Sequence, residues 1–407
     1  MATKNPNYNV YTVGWICIVS SEMNAARALL DEEHESLPPK PTDDNSYLLG
    51  RMNGHNVVFG YPGSSLYGPH NSSHVATNME RTFPNIRFRL LVGVGGGAPR
   101  TADAENTWND IRLGDVVVSN LKGSHGGVLH YDADKFKDNG VFHITSHLNR
   151  SPSLLLTATQ KLRSDHDFEL GQMGNYISQV YSRLARLPAL RASRFPGWDR
   201  DQLFISSYKH TGEGDCSKCD RAYLVKRLDR ESDIPVVHSG LIASGSALMC
   251  SAQRRDQLRD EWDVCCFETE AAGLMNDSPC LVIRGICDYS DGHQNKEWEP
   301  YAAITAVAYV KDLLRVIHPE TVEGTANVVG SLNDVSRALD KGDLEVSQLT
   351  TSVDKIHEEQ KNTNILERLH LHDFNAEQSE ASSESREVTG EWLLVFVGKR
   401  KCTGFSP

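Results

Sequence analysis

Glu268, Glu270 and Asp288 are the residues whose types and spacing could do chemistry in this sequence. An apolar run from Val264 to Phe267 leads into Glu268-Thr269-Glu270 and then into the small residues Ala271-Ala272-Gly273. A second run, Cys280 to Ile286, carries Arg284 and ends at Cys287-Asp288. Short apolar runs bounded by turn signals read as buried strands, and ligands bind at the strand ends of open α/β sheets. Two carboxylates delivered from adjacent strand ends make a candidate site. With the small residues after Glu268 read as a helical start, residues two apart do not face each other, so Glu270 is expected to point inward and Glu268 away. Each residue also has a structural reading: Asp288 as a helix N-cap before Tyr289, Glu268 paired with a neighbouring arginine, Arg284 as an ion-pair residue.

The elements that must position them alternate in type. Val13 to Val19 reads as a buried first strand, and Ser20-Ser21-Glu22 opens a helix with serine as N-cap. Glu22 is then a first-turn carboxylate favoured by the helix dipole. His55 to Gly60 predicts a strand, Gly63 to His74 a loop, and Val75 to Arg81 a helix. Phe88 to Pro99 predicts a strand running into a glycine-rich turn at Gly93, Gly95, Gly96 and Gly97. Those glycines either let backbone approach a ligand or make a tight turn. Their spacing is not that of a dinucleotide fingerprint, and no Gly-Lys-Ser/Thr follows to make a P-loop. Leu113 to Ser119 predicts a turn and a short strand, 152–187 helix with poor periodicity around 165–175, Pro235 to Met249 a strand ending in a Ser/Gly turn, and Tyr301 to Ile317 an amphipathic helix. This alternation predicts an α/β domain with a largely parallel central sheet.

Between them, Ile205 to Asp233 is a polar, charged insertion carrying Cys216-Ser-Lys-Cys219. A C-x-x-C pair indicates zinc only when two further ligands stand at suitable spacing. His210 lies upstream and His238 downstream, so a mixed site is conceivable, but the expectation is a surface loop with two thiols and no metal.

Composition bounds the rest. The 407 residues are 39% hydrophobic and 24% charged, enough to bury a sizeable core. A net charge of -12 with both signs interspersed argues against nucleic acid or a membrane surface as partner. No stretch reaches the roughly 18 apolar residues of a spanning helix. Nine cysteines, mostly inside apolar runs, are the usage of reduced cytoplasmic thiols. Beyond Pro319, apolar residues at near-heptad spacing predict a helical linker over 319–370, with a narrow seam suited to a coiled coil. The Ser/Glu-rich 371–407 is expected to be disordered, as are residues 1–10.

In order along residues 11–318, Val19-Ser-Ser-Glu22, Val92 to Ala98, Leu113 to Ser119, Leu241 to Gly245, Phe267 to Gly273 and Arg284 to Asp288 resemble the purine nucleoside phosphorylase/uridine phosphorylase superfamily. Within it the chain is most similar to the methylthioadenosine/S-adenosylhomocysteine nucleosidases. Gly14-Trp15-Ile16-Cys17 and Asp288-Tyr-Ser-Asp-Gly-His293 look like the fungal form found at the N-terminus of NLR-like NACHT proteins. The resemblance implies a three-layer α/β fold with a mostly parallel or mixed sheet, a C-terminal helical tail, and a truncated linker to a missing NTPase domain. It implies cleavage of a purine N-glycosidic bond, by hydrolysis in preference to phosphorolysis. Asp288 would protonate the base, Glu270 hold the ribose and Glu22 activate water. Gly95, Gly96, Ser246, Leu248, Met249, Phe267, Thr269 and Arg284 would surround the substrate. Thr269 departs from the family's methionine, Ser246 from its Asp or Asn, and Leu248 from a stacking aromatic. The implied partner is a small purine nucleoside or nucleotide, bound by a homo-oligomer, with no cofactor unless phosphate serves as co-substrate. A nucleoside-sensing module with little turnover is the alternative.

Overall fold

The computed structural model describes residues 7–325 except 39, 63–67, 101–109, 133–134, 137–141, 144–146, 169, 184–187, 213 and 295. The expected linker and tail beyond 325, and part of the loop at 63–74, therefore lie outside the described residues. No helix among the described residues is long and apolar enough to cross a membrane.

The first half of the chain runs β1 (Val13–Ile16), α1 (Ser20–Leu29), β2 (Glu32–Glu33), β3 (Ser46–Met52), β4 (His55–Tyr61), α2 (Pro69–Thr82) and β5 (Phe88–Gly97). The middle contributes β6 (Val116–Ser119), β7 (Val128–His130), the short pair β8 (Lys135–Phe136) and β9 (Phe142–His143), then α3 (Ser153–Asp167) and α4 (Met173–Arg183). The last part is β10 (Val237–Ser244), α5 (Ala252–Trp262), β11 (Val264–Glu268), β12 (Leu281–Asp288), α6 (Glu299–Val316) and α7 (Pro319–Glu323). The break between α3 and α4 falls where the periodicity fails.

The main sheet has the order β11-β10-β6-β12-β5-β1-β4-β3-β2 and is mixed, with β12–β6 antiparallel among parallel neighbours. It is not open, as the sequence reading assumed. β11 also pairs antiparallel with the far end of β5, Cys266 opposite Gly97 and Phe267 opposite Gly96, which closes β5, β12, β6, β10 and β11 into a ring. β11 and β12 are therefore not adjacent strands. They meet through β5, which both of them flank.

β5 also corrects the glycine-rich turn. The strand continues through Gly97, with its glycines in register beside β12. β6 ends on Ser119, whose Oγ accepts from the Val282 amide at 3.0 Å and fixes β12 against it.

α6 is the most enclosed helix. Every residue from Tyr301 to Leu314 is buried, so it lacks the polar face expected of it. The reason is its position between the sheet and the helices α1, α3 and α4. Its charged members are paired: Lys311 Nζ donates to the Leu29 carbonyl at 2.8 Å, and Asp312 accepts from the Gln172 amide at 2.7 Å. A helix buried all round must seat its backbone close to the sheet. Gly285 on β12 allows this, since a Cβ there would lie 1.9 Å from the Ala302 carbonyl oxygen. Gly285→Ala is expected to push α6 away from β12 and to cost about 1–3 kcal/mol or more, as overpacked cores do. Urea unfolding tests this, and a loss below about 0.5 kcal/mol would contradict the close seating.

Candidate active site

Arg284 is the centre of the site. It is 1% exposed on β12, and its Nη2 donates to both Glu268 Oε2 and Glu270 Oε2, the latter at 2.9 Å. Its Nη1 reaches the Val94 carbonyl at 3.3 Å. Burial works against the guanidinium charge, but Glu268, Glu270 and Glu22 outweigh it and hold the group above its ordinary range.

The expectation that Glu268 and Glu270 diverge is therefore wrong. β11 ends at Glu268, and Glu270 adopts helical dihedrals at the start of the short 3₁₀ turn Ala271–Gly273. The periodicity of neither element spans the junction, and both carboxylates turn onto one guanidinium. Glu268 also accepts from the amides of Glu270 and Ala271, at 3.0 and 3.1 Å, and so fixes the turn it precedes. Thr269 donates its hydroxyl to Glu270 Oε1. Both oxygens of Glu270 are thus engaged, one by Arg284 and one by Thr269.

Glu22 approaches from the other end of the chain. The N-cap of α1 is Val19, not a serine, and has no side chain able to cap. Glu22 takes that role, its Oε2 accepting from the amides of Ile18 at 2.8 Å and Val19 at 3.1 Å. Its Oε1 accepts from the Val94 amide at 3.0 Å. Burial pushes its pKa up to about 7, although Arg284 and the two amides favour the anion. Gly93 makes the approach possible: a Cβ there would stand 2.1 Å from Glu22 Oε1 and 2.6 Å from Arg284 Nη1.

Asp288 ends β12 in a different environment. Its Oδ1 accepts from the Ser290 amide at 2.7 Å, and its Oδ2 lies 3.6 Å from the Cys287 thiol. Among the described residues it has no ion-pair partner. Burial raises its pKa, so the protonated form is favoured more than in water. Gly96 gives it room, since a Cβ would lie 2.6 Å from Asp288 Oδ1. The turn after it is held by Arg255, whose Nη1 donates to the Tyr289 carbonyl at 2.7 Å, and by Asp201, which accepts from the Tyr289 hydroxyl.

Asp288 opens onto a small cleft lined by Gly96, Leu248, Met249, Phe267, Glu268, Thr269 and Ser290. Leu248 is 65% exposed on one wall, while Met249 and Phe267 supply buried apolar surface. Of the residues expected around a ligand, Gly95 and Arg284 stand behind this wall, with Gly95 packed on the Phe267 carbonyl. Ser246 is exposed and gives its amide to Asp132 Oδ2 at 2.6 Å. A larger cavity, with about 740 Å³ of open space, is lined by Arg100, Lys122, Arg163, His238 and Asp263 among others. It contains none of the expected site residues and shares no wall with the cleft, so chemistry favours the smaller space.

One residue of the site was misplaced in direction and one was not singled out. Glu268 was read as turned away, and only the closed ring brings it to Arg284. Ser290 lines the cleft with a positive φ of 52° and a buried Oγ that has no hydrogen-bond partner among the described residues. A serine two residues after a strand-terminal aspartate carries no signal of such a conformation.

The chain is 42% identical over 314 residues to a nucleotide-binding leucine-rich repeat (NLR)-like protein of Hyaloscypha variabilis. The match takes in 77% of this chain and only 30% of that relative's length. Solved structures similar to it include the 5'-methylthioadenosine/S-adenosyl homocysteine nucleosidase of Helicobacter pylori, at 16% identity over 76% of this chain and 100% of that one, with a TM-score of 0.46. The futalosine hydrolase of the same organism aligns at 16% identity over 76% of this chain and 99% of its own, with a TM-score of 0.43. No family model matches the sequence.

Arg284→Met removes the cation shared by Glu268 and Glu270. The variant is expected to lose about 3–5 kcal/mol, the cost of leaving buried charge uncompensated. Adding Glu268→Gln and Glu270→Gln should recover part of that loss. Urea denaturation of the single and triple variants tests the pairing, and a single variant within 1 kcal/mol of wild type would refute it.

Proposed function

We propose that this chain carries a nucleoside phosphorylase-superfamily domain that hydrolyses the N-glycosidic bond of a purine nucleoside or nucleotide. The observation that carries the reading is Asp288: a half-buried carboxyl without a cation partner among the described residues, shifted toward its protonated form, on a cleft whose walls include Phe267, Glu268 and Thr269.

Departure of a purine anion is slow, and protonation at N7 lets the base leave neutral. A carboxyl whose protonated form is favoured by its surroundings is suited to that general-acid step. As the C1'–N9 bond breaks and positive charge grows on the ribose, water attacks C1'. Glu22, with its pKa near 7, takes the proton that the water loses. Glu270 holds the ribose hydroxyls, for which it exchanges its bond with Thr269 while Arg284 keeps its other oxygen in place. The proton count closes: one leaves Asp288 for the base and one passes from water to Glu22.

Hydrolysis is preferred because a phosphate pocket needs convergent cations or amides, and neither arginine considered for it is available. Arg27 is exposed and paired with Glu33 at 2.5 Å, while Arg100 is paired with Asp263 at 2.8 Å. Among the described residues, no arginine or lysine lines the cleft beside Asp288. A second reading, a ligand-sensing module of an NLR-like protein, is favoured by the 42% identity to such a relative. It would show ligand binding without turnover.

Base release from adenosine, inosine, methylthioadenosine and ATP, with and without phosphate, separates these readings. Turnover that requires phosphate would overturn hydrolysis. Asp288→Asn is expected to lower base release by about 10²–10⁴-fold, the usual worth of a general acid. Unchanged release would remove Asp288 from the mechanism.

The pH profile follows from the two carboxyls. Glu22 acts as the anion, so activity should rise through about pH 7 as it ionises. Asp288 acts as the acid, and its upward shift extends activity to higher pH than an ordinary aspartic acid would allow. Glu22→Gln is expected to abolish the acid limb together with most activity. A wild-type rate that is flat from pH 5 to 8 would exclude Glu22 as the base.

A further inference from the structure

We propose that His210, Cys216 and Cys219 bind a zinc ion, with His293 closing the tetrahedron, so that the 205–233 insertion is clamped to the loop that follows Asp288. One donor atom from each of His210, Cys216 and Cys219 lies within 4.8 Å of the others. A tetrahedral zinc with Zn–S bonds of about 2.3 Å spaces its donors about 3.8 Å apart, so small shifts bring these three donors onto one ion, and His293, which stands outside that group, must turn toward it to complete the shell. Cys219 is buried, contrary to the surface loop expected of this motif.

The local backbone is built to bring the thiols together. Cys216–Lys218 forms a 3₁₀ turn, with the Cys219 amide donating to the Cys216 carbonyl at 3.1 Å. Asp215 fixes the turn by accepting from the Ser217 amide at 3.1 Å. His210 Nε2 makes only a long contact to the Asp215 carbonyl, 3.3 Å.

His293 is the independent observation. Its side chain is 4% exposed, and neither ring nitrogen has a hydrogen-bond partner among the described residues. Nδ1 comes no closer than 3.5 Å to Asp291 Oδ1. A buried imidazole without partners is costly, and a ring nitrogen bound to a metal removes that cost. The ring is stacked on Phe204 at 4.3 Å and lies 5.4 Å from the His210 ring. The Cys216 thiol is 3.9 Å from the His293 carbonyl. Two thiolates and two imidazoles are a donor set that zinc fills as a closed structural site. His238, the other histidine considered for this motif, is bound to Asp115 at 2.9 Å and is not part of the cluster.

The test does not depend on base release. Untagged protein, purified without chelator, is expected to contain one zinc per chain by elemental analysis. Cys216→Ser combined with Cys219→Ser should lose it. His293→Ala should weaken zinc at least tenfold in competition with a chromophoric chelator, with cysteine ligation retained. Should the serine variants fail to fold, cobalt replacing zinc in wild type still gives a thiolate-to-metal charge-transfer band if the cysteines are ligands. The proposal is overturned if wild-type protein holds no zinc and takes up none on titration. A Cys216–Cys219 disulfide in the freshly purified protein, or a cobalt spectrum without thiolate bands, would overturn it equally.

Discussion

The ion cluster around Arg284 is the constraint on which the site depends. A guanidinium buried to 1% exposure is tolerable only if anions reach it, and the anions come from two separate parts of the chain. β11 must close back onto β5 for Glu268 and Glu270 to meet β12. α1 must begin close enough to β5 for Glu22 to take the Val94 amide. Both approaches are limited by side-chain volume on β5, and glycine at 93 and 95 removes it. The glycine-rich stretch therefore serves the protein's own carboxylates before it serves any ligand. Replacing such a buried cluster by apolar residues would often cost little stability, so positioning is the better account of why charge is placed here.

A second set of polar contacts controls Asp288. The turn from Tyr289 to His293 has little regular structure and would be free to move without anchors. Arg255 holds the Tyr289 carbonyl, Asp201 takes the Tyr289 hydroxyl, and Arg227 lies over the Tyr289 ring at 5.3 Å while pairing with Asp201 at 2.6 Å. Asp201 precedes the insertion, Arg227 lies within it and Arg255 lies on α5, so segments remote in sequence fix the residue beside which chemistry is expected. The charged composition of 205–233, which reads as a solvated loop, is better explained by this anchoring.

Much of this was legible from residue order, and the failures have a common cause. Apolar runs located β1, β4, β10, β11 and β12, and the motif spacings identified Glu22, Glu270 and Asp288 as worth following. The periodicity rules that worked inside elements failed at their junctions. Glu268 and Glu270 straddle a strand end and a 3₁₀ turn, where neither two-residue nor helical spacing applies. Gly93 to Gly97 looked like a turn because glycine is a local signal, whereas its use here answers side chains from residues 22, 284 and 288. Ring closure is likewise invisible to local pattern, because β11 carries no mark that it will pair with β5 as well as β10. α6 lost its polar face for the same reason: Lys311 and Asp312 read as solvent-facing until their partners, Leu29 and Gln172, are known.

What separates the carboxylates chemically is the uneven supply of cations. Glu268 and Glu270 share the one guanidinium directly, and Glu22 feels it from the side while accepting three amides. Asp288, only four residues along the same strand, has no cation and a single amide. Burial raises the pKa of Glu22, Glu268 and Asp288 alike, so burial alone would assign them one role. The partners make the difference, because an anion stays where positive charge and N–H groups converge, and a proton stays where they do not. A strand that places arginine at 284 and aspartate at 288 sets these conditions four residues apart, with Asp288 on the cleft and Arg284 behind its wall. That polarity sets a carboxyl without a cation partner beside carboxylates held by one, the difference that the proposed cleavage of a base from a sugar would use.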